Sequence, residues 1–583
     1  MKEFWTDGPG AGLRFPLSVS GWLLATALSV SAAVETDLSK NGTSLSVSAS
    51  PGRIAASAAT IEVEILEGES WWGGAVIMGN DMPYTAKSNV EGDMLKTNYG
   101  NPGMPMFMSS LGRYIRCEEA FSFKISGGMI RAESPKAEFE TGHPAKDLRG
   151  VYLWCRDKWF PPSGKLPDLA LIEAPQYNTW IELQYNQNEK DILAYAKAVK
   201  DNGFPPGVMM IDDTWQLDYG TWEFDPRRFS DPKGMCDRLH GDGFKIMLWA
   251  CPFVSADSPA YRKLLAEGGL ILNGPLKGWK WNEPDPATVR WWNGKSAALD
   301  FTHPNARKWF TETLKHLVDE FGVDGFKLDA GDLCYYDGTN PYRYAAGAVL
   351  HDRTARPQDA AAKYSEIGMS FPLNEYRTVW GFAGQPLVLR LADKRHTWHD
   401  LGRLIPDMTA MGLAGYPFVC PDMIGGGQVS SFIPGAPSFE QEMFVRSAQA
   451  HALCPMMQFS AAPWRVLDKR HLAAVKAAVD LRSKFVARFL DLARECAKTG
   501  EPMLRNLEYA FPGKGYASVK DQFMMGDFLM VAPQTEKCAR ERTVLVPPGT
   551  WTCDDGTTVT GPCRITVATP LERIPHFVKS AQR

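Results

Sequence analysis

From Ser44 to Trp159 apolar and polar residues alternate in short runs, such as Ile61-Glu62-Val63-Glu64-Ile65, broken by Gly, Pro and Asn. A period of two puts every second side chain on one face, so this stretch predicts an all-β domain of sandwich type. After Pro161 the period changes. Strand-like Trp180-Ile181-Glu182-Leu183 is followed by a helical segment from Glu189 to Asp201, closed by Gly203, and by the apolar run Gly207 to Ile211, which ends on Asp212 and Asp213. The unit recurs. A helix around Lys233 to His240 precedes a strand from Phe244 to Leu248 ending on Trp249; a strand Ala297 to Phe301 and a helix Ala306 to Phe321 precede a strand Phe326 to Asp329. Further on, Pro386 to Arg390 reads as a strand, Trp398 to Met411 as a helix, Gly415 to Val419 as a strand and the stretch through Arg446 to Met457 as a helix. Alternation sustained over roughly 300 residues predicts an α/β architecture, a (β/α)8 TIM barrel of parallel strands. Alternating strands return after Gly500, as in Phe528 to Ala532 and Thr543 to Val546, and predict a small C-terminal β-domain. The division expected is an N-terminal segment over 1–34, a β-sandwich over 35–165, the barrel over 166–490 and the C-terminal β-domain over 491–583.

The first of these segments has its own pattern. Gly21 to Val34 is apolar and ends in small residues, like the hydrophobic region and cleavage site of a secretory signal, and is too short for a membrane span. Lys2 and Arg14 before it are offset by Glu3 and Asp7, so the positive bias of a signal is missing, and an extended N-terminal strand is the other reading. Export is the expectation, and Asn41-Gly42-Thr43 would be a glycosylation sequon only in a eukaryotic secretory pathway.

Composition narrows the chemistry. The 583 residues, 44% hydrophobic and 22% charged, are those of an ordinary folded protein, and a formal charge of -4 leaves no electrostatic footprint for nucleic acid or an anionic membrane. An uncharged substrate is expected. The 19 tryptophans are many for core packing alone, and sugar-binding clefts use such rings as platforms. Eleven cysteines show no CxxC pair and no Cys/His cluster, so no metal is expected, although Cys553 and Cys563 are close enough in sequence to bridge in an exported protein.

Acids stand at the predicted strand ends: Asp212, Asp213, Asp329, Asp393 and Asp422, with Trp215, Trp249 and Trp398 close by. A barrel builds its active site from these C-terminal tips, although an acid there can equally cap the following loop. There is no Ser-His-Asp order and no phosphate loop, since the Gly8-Pro9-Gly10-Ala11-Gly12 tract follows no strand. Two carboxylates across a cleft, aromatic platforms and no cofactor suit hydrolysis of an oligosaccharide or glycoside.

Several stretches then converge on one family. Gly325-Phe326-Lys327-Leu328-Asp329-Ala330-Gly331-Asp332 resembles the nucleophile motif of glycoside hydrolase family 31, retaining α-glycosidases. Trp71-Trp72-Gly73-Gly74, Met210 to Trp215, Phe224-Asp225-Pro226 and Gly243 to Trp249 fall in the family's order. Gly415-Tyr416-Pro417-Phe418, Pro421 to Gly426, Met457 to Ser460 and Pro463-Trp464 are similar to the myogenesis-regulating glycosidase branch, an α-galactosidase branch. The resemblance implies that Asp329 is the nucleophile and that Asp393, five residues before Trp398, is the acid/base; Asp400 competes for that role but falls in the first turn of the helix, where a carboxylate serves the dipole. It further implies a terminal-sugar subsite of Asp212, Asp213, Trp215, Trp249, Lys327 and Arg390, with Trp72 on a loop leaning over the cleft and Ser460 where α-glucosidase members carry a His. Asp422 either joins the site or forms the turn before its glycines. The connection from Arg390 to Asp393 is short where α-glucosidases carry a long loop, which favours α-galactosidase over α-glucosidase or α-xylosidase. A carbohydrate-binding protein without catalysis on the same scaffold is the remaining alternative.

Overall fold

The computed structural model describes residues 51–580 except 58, 97–100, 275–284, 342, 346, 434, 437 and 438. The expected signal segment, the sequon at Asn41 and the early glycine tract lie outside the described residues.

The N-terminal domain is two antiparallel sheets. One has five strands, in the order Ile54–Ser57, Thr60–Glu64, Met129–Glu133, Ser122–Ser126 and Val90–Asp93; the other has four, Trp71–Ala75, Gly103–Ser109, Tyr114–Cys117 and Phe139–Gly142. The period-two pattern is obeyed, with Ile61 and Val63 buried, and the sheets meet where Phe107 of one packs edge-on against Phe123 of the other, 5.1 Å between ring centres. Trp71-Trp72-Gly73-Gly74, expected as a flexible loop, is a strand. Its glycines answer to close approach: a Cβ on Gly73 would lie 2.0 Å from the Met106 carbonyl oxygen of the paired strand.

Eight parallel strands in chain order make the barrel: β1 Gln176–Asn178, β2 Val208–Ile211, β3 Lys245–Ala250, β4 Gly325–Leu328, β5 Leu373–Tyr376, β6 Leu389–Arg390, β7 Val419–Cys420 and β8 Gln458–Phe459. β8 pairs with β1, and the circle is completed beside β7 by a bridge between Ile424 and Phe459. The crossover helices α1 Glu189–Asp201, α2 Pro232–Gly241, α3 Pro304–Phe321, α4 Pro357–Ser365, α5 Trp398–Leu413 and α6 Gln441–Ala452 follow β1, β2, β3, β4, β6 and β7. α1, α2 and α5 begin with side-chain caps from Asn188, Asp231 and Thr397, and α3 ends on Gly322 in the left-handed region.

Three expectations are corrected. Trp180–Leu183 is one helical turn after β1, started by the Asn178 side chain, which accepts from the Trp180 N–H at 2.8 Å. The run from Ala297 is not a barrel strand: Gly294–Ala298 folds back on Thr288–Trp291 as an antiparallel hairpin inserted between β3 and β4. Strands β1, β5 and β8 were not anticipated, and β6, β7 and β8 are only two residues long. A helix α7, Lys469–Thr499, runs through the expected boundary near 490 to a six-stranded C-terminal sheet. There Cys553 and Cys563 are both unbonded thiols, and Cys563 faces Val546 on the neighbouring strand.

Candidate active site

Strand register assembles the pocket floor. Lys327 of β4 stands level with Trp249 of β3 on one side and Glu375 of β5 on the other, and Ile211, the residue before Asp212, pairs with Leu248. In a parallel barrel residues at one level share a face. The row is therefore polar and fully coupled: the Lys327 Nζ donates to Asp212 Oδ2 at 2.8 Å, Arg390 Nε lies 3.4 Å from Glu375 Oε1, and Glu375 Oε2 accepts from Gln458 Nε2 at 2.8 Å. Burying these charges is tolerable only because each faces an opposite one.

Asp329 stands just above this row, at the tip of β4. Its Oδ2 accepts from the Trp249 indole N–H at 2.8 Å, and its Oδ1 accepts from the Ala330 N–H at 2.8 Å and lies 3.1 Å from Arg377 Nε. Ala330 takes a φ of 60° to turn the chain back, and Gly331 continues the turn at φ 87°. Burial alone would raise the Asp329 pKa; the charges of Arg377 and Lys327, the Trp249 hydrogen bond and Arg390 outweigh it and bring it to about 2. The carboxylate is ionised at any ordinary pH.

Asp393 follows β6 and keeps 54% of its side chain exposed. Arg390 Nη1 sits 3.0 Å from Asp393 Oδ1 and 2.7 Å from Asp422 Oδ1. Burial raises Asp422 to about 7, with the Arg390 charge opposing and the Asp393 charge adding; for Asp393, whose exposed side chain is only partly desolvated, that desolvation is outweighed by Arg390, Arg377 and Lys327, and its pKa is lowered. Two carboxylates on one guanidinium nitrogen titrate as a pair that holds one proton to about neutral pH. Asp400 is the helix-start carboxylate expected: its Oδ2 accepts from the Arg395 N–H at 2.7 Å.

The other anticipated residues divide. Asp212 and Asp213 are both buried at the tip of β2, Asp213 held by Tyr219 OH at 3.2 Å and Asn293 Nδ2 at 2.5 Å and raised to about 7 by burial and the Asp212 charge. Trp249 lines the pocket through its bond to Asp329. Trp215 does not: it is fully buried behind β3, where its indole N–H donates to the Trp249 carbonyl at 2.8 Å. Trp72 is not on a cleft loop either; it is buried in the sandwich strand and lines a small cavity with Met82, Pro406, Thr409 and Asn506. Ser460 is fully buried, its Oγ accepting from the Ile181 N–H at 3.2 Å. Among the described residues no group of three or more His, Cys, Asp or Glu could hold a metal ion, and no helix is long and apolar enough to cross a membrane.

Arg377 is the main residue sequence reasoning missed. It bridges Asp329 and Asp332, the latter at 3.7 Å, and its guanidinium stacks on Trp292 at 4.6 Å. Trp292 and Asn293 belong to the inserted hairpin, which therefore touches both sides of the pocket. The available signal was weak: in Leu373-Asn374-Glu375-Tyr376-Arg377 the apolar residues stand three apart, which a strand period of two does not predict, and only the charge at the end marks a strand tip.

Residues 174–489 match a family model described as the glycosyl hydrolases family 31 TIM-barrel domain, and residues 500–582 match one described as the glycosyl hydrolase family 31 C-terminal domain. The chain is 33% identical over 414 residues to the myogenesis-regulating glycosidase of Mus musculus, covering 70% of this chain and 56% of that protein. It is 25% identical over 394 residues to an alpha-xylosidase of Emericella nidulans, covering 64% of this chain and 47% of that one. The chain thus spans about half the length of the curated relatives it matches. Its fold is similar to that of a GH31 dextranase of Flavobacterium johnsoniae complexed with glucose, with a TM-score of 0.76 and 19% identity over 90% of this chain and 67% of that one. A GH31 alpha-xylosidase from a soil metagenome, complexed with xylose, gives a TM-score of 0.75 and 21% identity over 90% of this chain and 80% of that one.

Proposed function

The chain belongs to glycoside hydrolase family 31, and from that premise we propose that it is a retaining exo-α-glycosidase releasing a terminal α-linked hexose, galactose first, with Asp329 as nucleophile and Asp393 as acid/base. Asp329 attacks the anomeric carbon as the bond to the leaving oxygen breaks, and Asp393 gives that oxygen its proton. The product is a glycosyl ester on Asp329. Asp393, now a carboxylate, takes a proton from water, whose oxygen attacks the anomeric carbon and frees Asp329. Asp212 and its partner Lys327 hold hydroxyls of the departing sugar, and the exposed side of Asp393 receives the leaving group.

The observation that carries this reading is the Asp329 cradle: an ionised carboxylate at a barrel strand tip, fixed by the Trp249 indole, the Ala330 amide and Arg377. A nucleophile needs that fixity and that charge. The acid needs a proton, and the Asp393–Asp422 pair supplies one near neutral pH; a bound sugar that expels water from Asp393 raises its share of that proton. The galactose preference rests on the short connection between Arg390 and Asp393 and on Ser460, which is tied to the Ile181 amide. A second reading, α-xylosidase or α-glucosidase, draws on the relatives that bear those names.

A panel of 4-nitrophenyl α-galactoside, α-glucoside and α-xyloside tests the sugar, with kcat/KM on the galactoside expected about 10²-fold above the others. Equal or higher values on the glucoside or xyloside would transfer the assignment to that sugar. Asp329→Asn should lose nearly all turnover while keeping the fold; a variant within about tenfold of wild type, a barrier change of ~1.4 kcal/mol, removes Asp329 from the mechanism. Asp393→Ala should still be glycosylated by substrates with good leaving groups and be rescued by azide as the glycosyl azide. Rescue of Asp400→Ala in its place would move the acid/base there.

A further inference from the structure

The loop that carries Asp393 rests on a buried ion pair for which the double displacement has no use. Lys394, next in the chain, has 6% of its side chain exposed, and its Nζ lies 3.1 Å from Asp407 Oδ2, a side chain with no exposed surface in helix α5. The same Nζ donates to the Ala392 carbonyl at 3.1 Å, and the Lys394 N–H donates to Asp422 Oδ2 at 2.5 Å. Asp393 is thus flanked by two fixed backbone points, one held through the Lys394 side chain and the other through Asp422.

Asp407 is clamped in turn by the N-terminal domain. A Cβ on Gly79 would lie 2.7 Å from the Asp407 Cα and 2.6 Å from the Pro406 carbonyl oxygen, so the short helix Val76–Asp81 packs directly on this turn of α5. The contact is reinforced by Arg403 Nη2, which donates to the Ile77 carbonyl at 2.9 Å. From the C-terminal side Lys520 Nζ donates to the Asn80 carbonyl at 2.5 Å. Contacts therefore run without a break from the two flanking domains through Asp407 and Lys394 to the loop bearing Asp393.

A buried ion pair is a costly way to gain stability, because desolvating two charges consumes most of their attraction; an apolar pair of similar volume often serves as well. What the pair provides that an apolar contact does not is a buried ammonium held beside Asp407, from which the Lys394 Nζ makes its directional bond to the Ala392 carbonyl. An acid that must meet a leaving oxygen within hydrogen-bond distance depends on such a tie, whereas the attack by Asp329 from another strand does not.

We propose that Lys394 and Asp407 form a positioning pair that sets the reach of Asp393 toward the leaving-group oxygen, so that the flanking domains support the proton-transfer half of the reaction. The proposal rests on the reading of Asp393 as acid/base. Its mark is selectivity: loosening the pair penalises substrates that need acid assistance and spares those that do not.

The test uses the full chain and a series of aryl α-glycosides of whichever sugar the wild type cleaves, from 2,4-dinitrophenyl to unsubstituted phenyl. Lys394→Met should lower kcat/KM on the phenyl glycoside by about tenfold or more, within the range of lost general-acid catalysis, and leave the dinitrophenyl glycoside within about threefold of wild type. Asp407→Asn, which keeps the side-chain shape, and Gly79→Ala, which pushes on Asp407 from the N-terminal domain, should show the same selective loss. Lys394→Arg, which keeps the charge, should recover at least part of the phenyl rate. An equal fall on both substrates in Lys394→Met and Asp407→Asn would make the pair merely structural and overturn the proposal, as would wild-type leaving-group dependence in both. If Lys394→Met does not fold, Asp407→Asn and Gly79→Ala are read by the same criterion. Asp393→Ala is the control: if it shows no leaving-group dependence, the acid/base reading itself fails, whereas dependence there without dependence in the Lys394 and Asp407 variants defeats only the positioning pair.

Discussion

Around the pocket, carboxylates answer to pH in different directions because each sees a different balance of burial and charge. Asp329, brought to about 2, stays ionised, whereas Asp422 and Asp213 each hold a proton to about 7. With Asp393 as acid, kcat/KM should be level through mildly acidic pH and fall as pH rises through about 7, where the Asp393–Asp422 pair loses its proton. Asp213 titrates in the same range, so substitutions must separate the two. Asp422→Asn removes a negative neighbour and leaves more of the Arg390 charge to Asp393, which lowers the proton affinity of Asp393; the falling limb should move to lower pH. Asp213→Asn should leave the limb in place. A pH profile in which Asp213→Asn abolishes the limb and Asp422→Asn does not would assign the working proton to Asp213. At this scale the sequence was most legible where an acid ends an apolar run, as at Asp212 and Asp329. Arg377 escaped because Asn374 and Glu375 break the apolar run of β5; Asn374 bonds the backbone carbonyls of Phe371 and Pro386, and Glu375 belongs to the polar row inside the barrel.

Elements add a second layer of support, and two tryptophans on it should behave differently. Trp215→Phe deletes the donor to the Trp249 carbonyl and leaves a buried acceptor unpaired, a cost of ~1–3 kcal/mol in stability. Because Trp215 meets β3 from behind, kcat should stay within about threefold of wild type. Trp249→Phe deletes the donor to Asp329 Oδ2 and should lower kcat by about tenfold or more for a comparable loss of stability. Thermal melts beside initial rates check both; a Trp215→Phe enzyme losing as much kcat as Trp249→Phe would place Trp215 in the site after all. Helix α1 was legible to the residue, because a 3.6-residue period over several turns has few alternatives, although the longer α7 went unread. Short segments were less legible. Trp180–Leu183, apolar but for Glu182, reads as a strand over four residues, yet with the Asn178 side chain holding the Trp180 N–H it winds into one helical turn. β6 and β7 were read as strands from their apolar runs, Pro386 to Arg390 and Gly415 to Val419, but β8, Gln458–Phe459, is too short for any period to register.

On the scale of the whole molecule, the barrel and its C-terminal domain are joined by hydrogen bonds that neither part can satisfy alone. Arg446, fully buried on α6, donates from Nη2 to the Thr569 carbonyl at 2.7 Å and from Nη1 to the Pro570 carbonyl at 3.2 Å, while Gln449 Nε2 donates to the Leu571 carbonyl at 2.6 Å. The C-terminal domain is also tied to the helix Leu148–Trp159, which precedes the barrel, through Arg149, whose Nη2 lies 2.7 Å from Glu501 Oε2 and 3.3 Å from Asp527 Oδ2. Separating the domains exchanges these bonds for bonds to water, at a net ~0.5–1.5 kcal/mol for the bond from Gln449 and ~1.5–3 kcal/mol for each from the Arg446 guanidinium. That total is comparable with the stability of a marginal domain, so the two parts should unfold together. Calorimetry of the full chain should therefore show barrel and C-terminal domain melting in one transition, although multidomain chains often melt in steps. Arg446→Ala should lower that melting temperature and, if the two parts then uncouple, split the transition in two, while initial rates well below the melt stay near wild type because Arg446 lies outside the pocket. Two resolved transitions in the unmodified chain would show that these buried bonds do not couple the domains.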